Sequence, residues 1–129
     1  MNILLVDDEP SILEVLADMY EGHFSDISIT QCSNGALALH ECWQKKFDLI
    51  CTDYRMPVLD GLEFTEIVRH REGPNQKTAI LFLSGYVPEF KFKAEVHDNV
   101  FFIEKPVHPD RLMRISAIAA KHSLNPKVG

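Results

Sequence analysis

Five short apolar runs punctuate the chain: Ile3–Val6, Ile27–Thr30, Leu49–Thr52, Ala79–Leu83 and Val100–Ile103. Each is nearly continuous in apolar character and partly β-branched or aromatic, the pattern of strands covered on both faces. Between them, apolar residues recur at helical spacing. Pro10 suits a first helical turn, Ile12, Leu13, Leu16 and Tyr20 form one stripe, and Gly22 is a plausible stop. Ser33 and Asn34 can cap a second helix carrying Ala36, Leu39 and Trp43. Gly61 precedes a third with Phe64, Ile67 and Val68 inward, ending before Gly73-Pro74. A last helix follows Pro109 and Asp110, with Leu112, Ile115 and Ala119 on one side. Before it, Pro88 can start a short helix within Pro88–Val96, although Glu89 to Lys93 alternates with period two, as a strand would.

Strand and helix therefore alternate, which predicts an α/β fold with parallel strands joined by right-handed crossovers. In such a sheet all C-terminal strand ends share one edge, and ligands bind there where the strand order reverses. The first strand ends in Asp7 and Asp8, the third in Asp53, the fourth in Ser84-Gly85 and the fifth in Glu104-Lys105. The second offers only Gln31 and Cys32. An order of 2-1-3-4-5 places that strand outside and gathers the other four.

Composition narrows the function. Thirteen basic against nineteen acidic residues leave a net charge of −6, which argues against nucleic-acid binding and gives no polybasic patch for a membrane. No apolar run approaches the ~20 residues a spanning helix needs. The first apolar run has no basic segment before it and Asp7, Asp8 and Glu9 straight after, unlike a signal peptide. Cys32, Cys42 and Cys51 are odd in number and without paired spacing, as in core residues of a reducing compartment. A cytoplasmic domain is expected.

Each residue at the shared edge also has an ordinary explanation. Asp7 and Asp8 favour the positive end of a following helix, Asp53 can open a turn, Ser84 can cap a helix, and Lys105 can be solvated. Those explanations would all have to coincide at one edge of one sheet. Three close carboxylates repel one another unless a cation is present. Mg²⁺ takes oxygen ligands and is usually held by one or two carboxylates plus a phosphate. A lysine and a hydroxyl opposite them would engage the remaining oxygens of a phosphoryl group. Asp53 can be the nucleophile, since carboxylates form aspartyl-phosphates.

These residues resemble a family. The run Ile3-Leu4-Leu5-Val6-Asp7-Asp8-Glu9-Pro10 is similar to the start of the response-regulator receiver domain of bacterial two-component signalling. So are Thr52-Asp53-Tyr54-Arg55-Met56-Pro57-Val58-Leu59-Asp60-Gly61, Leu83-Ser84-Gly85-Tyr86 and Phe102-Ile103-Glu104-Lys105-Pro106. Asn34-Gly35 with Ala38-Leu39 fits as well. The resemblance implies a flavodoxin-like doubly wound (βα)5 three-layer sandwich of the same strand order, with residues 1–122 as the receiver domain and 123–129 as a tail. It implies that Asp53 accepts a phosphoryl group from a phosphohistidine of a sensor histidine kinase or histidine phosphotransfer protein. The Mg²⁺ ligands it implies are Asp8, Asp53 and the backbone carbonyl of Arg55, with Asp7 acting through water. Ser84 and Lys105 would hold phosphoryl oxygens. Phe102 would be the switch aromatic, here without the hydroxyl of the commoner tyrosine, and Lys105–Pro106 would often be cis.

Two other readings compete. A haloacid-dehalogenase-like phosphatase needs an aspartate two residues after its nucleophile, where this chain has Arg55, which cannot move a proton near pH 7. A degenerate, phosphorylation-independent module usually lacks an acidic residue or the lysine, and both are present. The expectation is a signalling phosphoacceptor that catalyses only its own phosphorylation and slow dephosphorylation, with Arg55 and Tyr86 shielding the phosphoryl group. Its downstream target is unspecified. The Tyr86–Val96 segment, with its apolar cluster Tyr86, Val87, Phe90 and Phe92, is expected to form, with the fifth strand and last helix, the docking face that phosphorylation reorganises.

Overall fold

The structure is a computed structural model and describes residues 1–56, 58–85 and 98–124. The five strands are β1 (Asn2–Val6), β2 (Ser28–Cys32), β3 (Leu49–Asp53), β4 (Ala79–Ser84) and β5 (Val100–Glu104). The helices among the described residues are α1 (Pro10–His23), α2 (Gly35–Gln44), α3 (Gly61–His70) and α4 (Pro109–Leu124). Every strand pair is parallel and the order is β2-β1-β3-β4-β5, as expected. The helix expected within Pro88–Val96 and the cluster of Tyr86, Phe90 and Phe92 lie outside the described residues. None of the described helices is long and apolar enough to cross a membrane.

Alternate residues of the central strands feed two cores. Ile3, Leu5, Leu49, Cys51, Leu81 and Leu83 face α1 and α4, where they meet Leu13, Leu16, Tyr20, Leu112 and Met113. Leu4, Val6, Ile50, Ile80 and Phe82 face α2 and α3, where they meet Ala38, Cys42, Phe64 and Val68. Burial on both faces explains the unbroken apolar runs of β1, β3 and β4. The other two strands depart from it: β2 exposes Ser28 and Gln31, and β5 is mostly half-buried, because each closes an edge of the sheet.

Two helical details differ from the sequence pattern. Gly22 does not stop α1, which continues to His23 and closes with the Phe24 N–H donating to the Tyr20 carbonyl. The inward face of α2 is Gly35, Ala38 and Cys42, with Ala36 exposed and Leu39 and Trp43 half-buried. Close approach selects this face: a Cβ on Gly35 would lie 2.9 Å from the Leu59 carbonyl oxygen, so small residues point inward. The Trp43 ring instead packs over Gly73, where a Cβ would come within 2.6 Å of it.

α4 runs through the expected 122/123 boundary. Ser123 is buried there, and its Oγ accepts a 2.6 Å bond from the Ala79 N–H at the start of β4. Two turns earlier in α4, Ser116 Oγ shares a buried bond of 2.7 Å with the Tyr20 hydroxyl of α1. The three cysteines are free and buried, and burial pushes their thiols up to about 11 for Cys32 and about 12 for Cys42 and Cys51. Only a thiolate is a strong nucleophile, so these are packing groups.

Candidate functional site

The C-terminal edge of the sheet gathers the residues that the pattern singled out. β1 delivers Asp7 and Asp8, β3 ends on Asp53, β4 ends on Ser84, and Lys105 follows β5. Carboxylate oxygens of Asp7, Asp8 and Asp53 all lie within 4.8 Å of one another. Lys105 Nζ stands 3.6 Å from Asp53 Oδ2. The three acids differ in exposure: Asp7 is buried, Asp53 half-buried and Asp8 exposed.

Backbone pairing sets this arrangement. The Asp7 N–H donates to the Cys32 carbonyl, extending the β1–β2 ladder by one residue, while Asp7 Oδ1 accepts from the Glu9 N–H at 2.9 Å. The Lys105 N–H donates to the Ser84 carbonyl at 2.7 Å, so the last residues of β4 and β5 stay in register. The Lys105–Pro106 peptide is cis, as expected. Ser84 is buried at the same edge. Arg55 is exposed on the loop after Asp53, and Tyr86 lies outside the described residues.

That loop is closed at its base, where the Gly61 N–H donates to the Tyr54 carbonyl at 2.8 Å. Gly61 cannot carry a side chain: a Cβ would lie 2.5 Å from the Phe82 ring and 3.0 Å from Tyr54. Asp60 then caps α3 in a reciprocal box with Glu63, with bonds of 2.9 and 3.1 Å. The Asp-x-x-Glu spacing at 60–63 was the sequence signal for this cap. Val58 has φ +74°, a left-handed conformation that costs a β-branched residue on the order of 1–2 kcal/mol. Asp26 and Asn99 also have positive φ, but short polar side chains tolerate it.

Phe102 sits two residues before the edge, half-buried over the α2–α3 side. Its ring stacks on Phe82 with centroids 5.8 Å apart, and Phe82 meets Tyr54 edge-on at 6.0 Å. Phe82 is thus a link between the residue after Asp53 and the expected switch aromatic. Its place in an apolar strand gave no sign of this.

Burial raises the pKa of Asp7, and the charges of Asp53 and Asp8 add to the effect, against the pull of the Glu9 N–H and Lys105. A donor set of hard carboxylate oxygens, one of them buried beside its like, fits a small divalent cation and strains without one. Asp7→Asn keeps the acceptor for Glu9 and removes a charge. It should raise the thermal midpoint in EDTA and weaken Mg²⁺ binding about tenfold or more. The sign follows from linkage: a raised folded-state pKa lets the unfolded chain ionise first, so stability falls as pH rises above the ordinary 3.8. The variant and wild type should therefore converge at lower pH and diverge above it. A metal-free variant no more stable than wild type at neutral pH would remove the repulsion argument.

Comparison with known proteins follows the same lines. A family model of the response regulator receiver domain matches residues 3–117. A positive alginate biosynthesis regulatory protein of Pseudomonas aeruginosa is 35% identical over 114 residues, 87% of this chain and 44% of that protein. A cyclic di-GMP phosphodiesterase response regulator of Xanthomonas campestris is 31% identical over 118 residues, 87% of this chain and 30% of that one. The chain spans less than half the length of these curated relatives. Among solved structures, a chemotaxis response regulator of Vibrio cholerae superposes with a TM-score of 0.81 at 27% identity, covering 92% of this chain and 97% of its own. The receiver domain of a sensor histidine kinase of Pseudomonas aeruginosa, with magnesium coordinated in its active site cleft, gives 0.80 at 25% identity, covering 93% and 97%. With the acidic edge, the lysine and the strand order already in place, the chain belongs to the response regulator receiver domains, the phosphoacceptor units of two-component signalling.

Proposed function

We propose that Asp53 is the phosphoacceptor and that it takes its phosphoryl group in the cytoplasm from the phosphohistidine of a sensor histidine kinase or phosphotransfer protein. The observation that carries this reading is the surroundings of the Asp53 carboxylate: oxygens of two other acids within 4.8 Å and the Lys105 ammonium at 3.6 Å. Asp53 is the acid of the three that ends a central strand and is neither buried nor fully exposed, so one oxygen can face an incoming donor.

In the transfer, an Asp53 carboxylate oxygen forms a bond to phosphorus as the phosphorus–nitrogen bond of the phosphohistidine breaks. The imidazole leaves with the electron pair, and an acyl phosphate remains on Asp53. Lys105 pairs with one phosphoryl oxygen, and the Ser84 hydroxyl donates to another. Asp8, Asp53 and the backbone carbonyl of Arg55 would hold Mg²⁺, with Asp7 acting through water, and the ion would supply positive charge against the phosphoryl oxygens. Phosphorylation draws Ser84 toward residue 53, and Phe102 follows into the space it leaves. Arg55, exposed on the same loop, slows attack by water.

The test uses phosphoramidate as donor, with Mg²⁺, followed by borohydride, which reduces an aspartyl phosphate to homoserine. Homoserine is expected at residue 53, found by mass spectrometry of peptides. Homoserine at residue 7 or 8 instead, or no phosphoryl uptake, defeats the assignment.

A further inference from the structure

The loop that leads from Asp53 into α3 carries a residue that the acceptor chemistry does not use. Val58 is 84% exposed, against 46 to 50% for Val15, Leu37 and Ile118, the other large exposed hydrophobics among the described residues. Those three lie on helices, where neighbouring turns cover half of each side chain. Val58 stands on a loop pinched shut by the Tyr54–Gly61 hydrogen bond and held by the Asp60 cap. Its backbone is left-handed, with φ +74°, which glycine or asparagine would adopt without strain. At this position the chain therefore carries two disadvantages together, a strained backbone and a bare apolar side chain. Folding gains from neither, and strained residues of this kind cluster at functional sites.

We infer that Val58 is a docking and specificity contact for the protein that donates the phosphoryl group. The inference rests on Asp53 being the acceptor. Asp53 is half-buried, so a protein donor must bring its own surface against the rim of the cleft for its phosphohistidine to reach the carboxylate. Val58 is on the loop that Asp53 begins, whose ends are held together by the Tyr54–Gly61 hydrogen bond. The fitting partner carries an apolar patch beside its phosphohistidine, into which the valine methyls bury. A partner with a charged group at that spot is refused, because its charge would be desolvated against the methyls without a counter-ion.

The test sets two kinds of donor against each other on the same protein. Phosphoramidate needs only the pocket, whereas purified histidine kinases and phosphotransfer proteins, labelled on histidine, need the rim as well. The reference donor is the member of that panel that labels the wild type fastest. Val58→Asn and Val58→Gly release the backbone, so both are expected to raise the thermal midpoint and to keep the phosphoramidate rate within about twofold. Both are expected to lower the rate from the reference donor at least about tenfold, which corresponds to ~1.4 kcal/mol of lost contact. Val58→Thr keeps the shape and the backbone constraint while losing apolar surface, and should fall between them and the wild type. More stable variants cannot owe a slower transfer to misfolding. A reference-donor rate unchanged in the asparagine and glycine variants overturns the inference. So does a wild type that no panel protein labels faster than phosphoramidate does. A wild type that phosphoramidate fails to label defeats the acceptor reading, and this inference with it.

Discussion

Asp53→Asn should abolish phosphoryl uptake from phosphoramidate, lowering the rate by at least about a thousandfold, the scale of loss when an enzyme's nucleophile is removed. The amide matches the carboxylate in size, so the pocket keeps its shape. Its oxygen carries no full negative charge and its nitrogen lone pair is delocalised, so neither atom attacks phosphorus. Two charge effects on the fold oppose each other. The variant loses the ion pair with Lys105, which is partly exposed and weakened by solvent, and it relieves the repulsion from Asp7 and Asp8. The unfolding free energy in urea should therefore change little, by about 1 kcal/mol or less. A folded variant that takes up no label isolates the chemistry from the structure. Uptake equal to wild type would move the nucleophile to Asp7 or Asp8 and leave Lys105 paired with the wrong acid.

The phosphoacceptor edge was legible in the sequence because its physics is local to strand ends. A central parallel strand must be apolar along its whole buried length, so the first polar residue after each run marks the edge. Asp7, Asp53 and Ser84 stand at such points, and Lys105 stands one residue past Glu104. The strand with nothing to offer was legible as an edge strand, and the full order came with the family resemblance. Helix faces were less legible. The inward face of α2 is set by how closely Gly35 approaches Leu59, a tertiary distance that no periodicity encodes. Gly22 looked like a stop, but the space around it is open and nothing forces the chain to turn there.

Buried polar residues were the least legible of all, since a polar residue between elements looks like any loop residue. Half-buried Arg69, on a helix, was no easier to read. Its guanidinium reaches four backbone carbonyls, those of Asp98 at 3.1 Å, Gln76 at 3.2 Å, Thr78 at 2.6 Å and Asn99 at 3.2 Å. It thereby ties the end of α3 to the entries of β4 and β5. In the sequence it is only a basic residue in the last turn of a helix, where it complements the helix dipole. Ser116 and Ser123 are similar: both read as polar positions of a surface helix, and both are buried with partners on other elements.

Asn75 is the strongest case, and replacing it should cost more stability than any change at the phosphoacceptor edge. It is fully buried between α3 and β4. Its Oδ1 accepts from the Phe47 N–H at 2.7 Å and lies 2.9 Å from Thr78 Oγ1. Its Nδ2 donates to the carbonyls of Cys42 and Lys45, both at 2.7 Å. All four hydrogen-bonding sites of the amide are therefore used, joining the end of α2 to the entries of β3 and β4. Asn75→Ala would leave these groups without partners in a site closed to water. The expected loss is about 3–5 kcal/mol, read from urea unfolding. Asn75→Asp tests the donor side alone, because it keeps the shape and the acceptor while aiming a carboxylate at two carbonyl oxygens. Burial without a counter-ion would raise its folded-state pKa. The variant should thus be destabilised at neutral pH, and its deficit relative to wild type should shrink as pH falls and the protonated acid regains one donor. Because the network lies at the opposite end of the strands from Asp53, the folded fraction of either variant should still take up phosphate from phosphoramidate. An unfolding free energy for Asn75→Ala within about 1 kcal/mol of wild type would mean that water enters and replaces the amide.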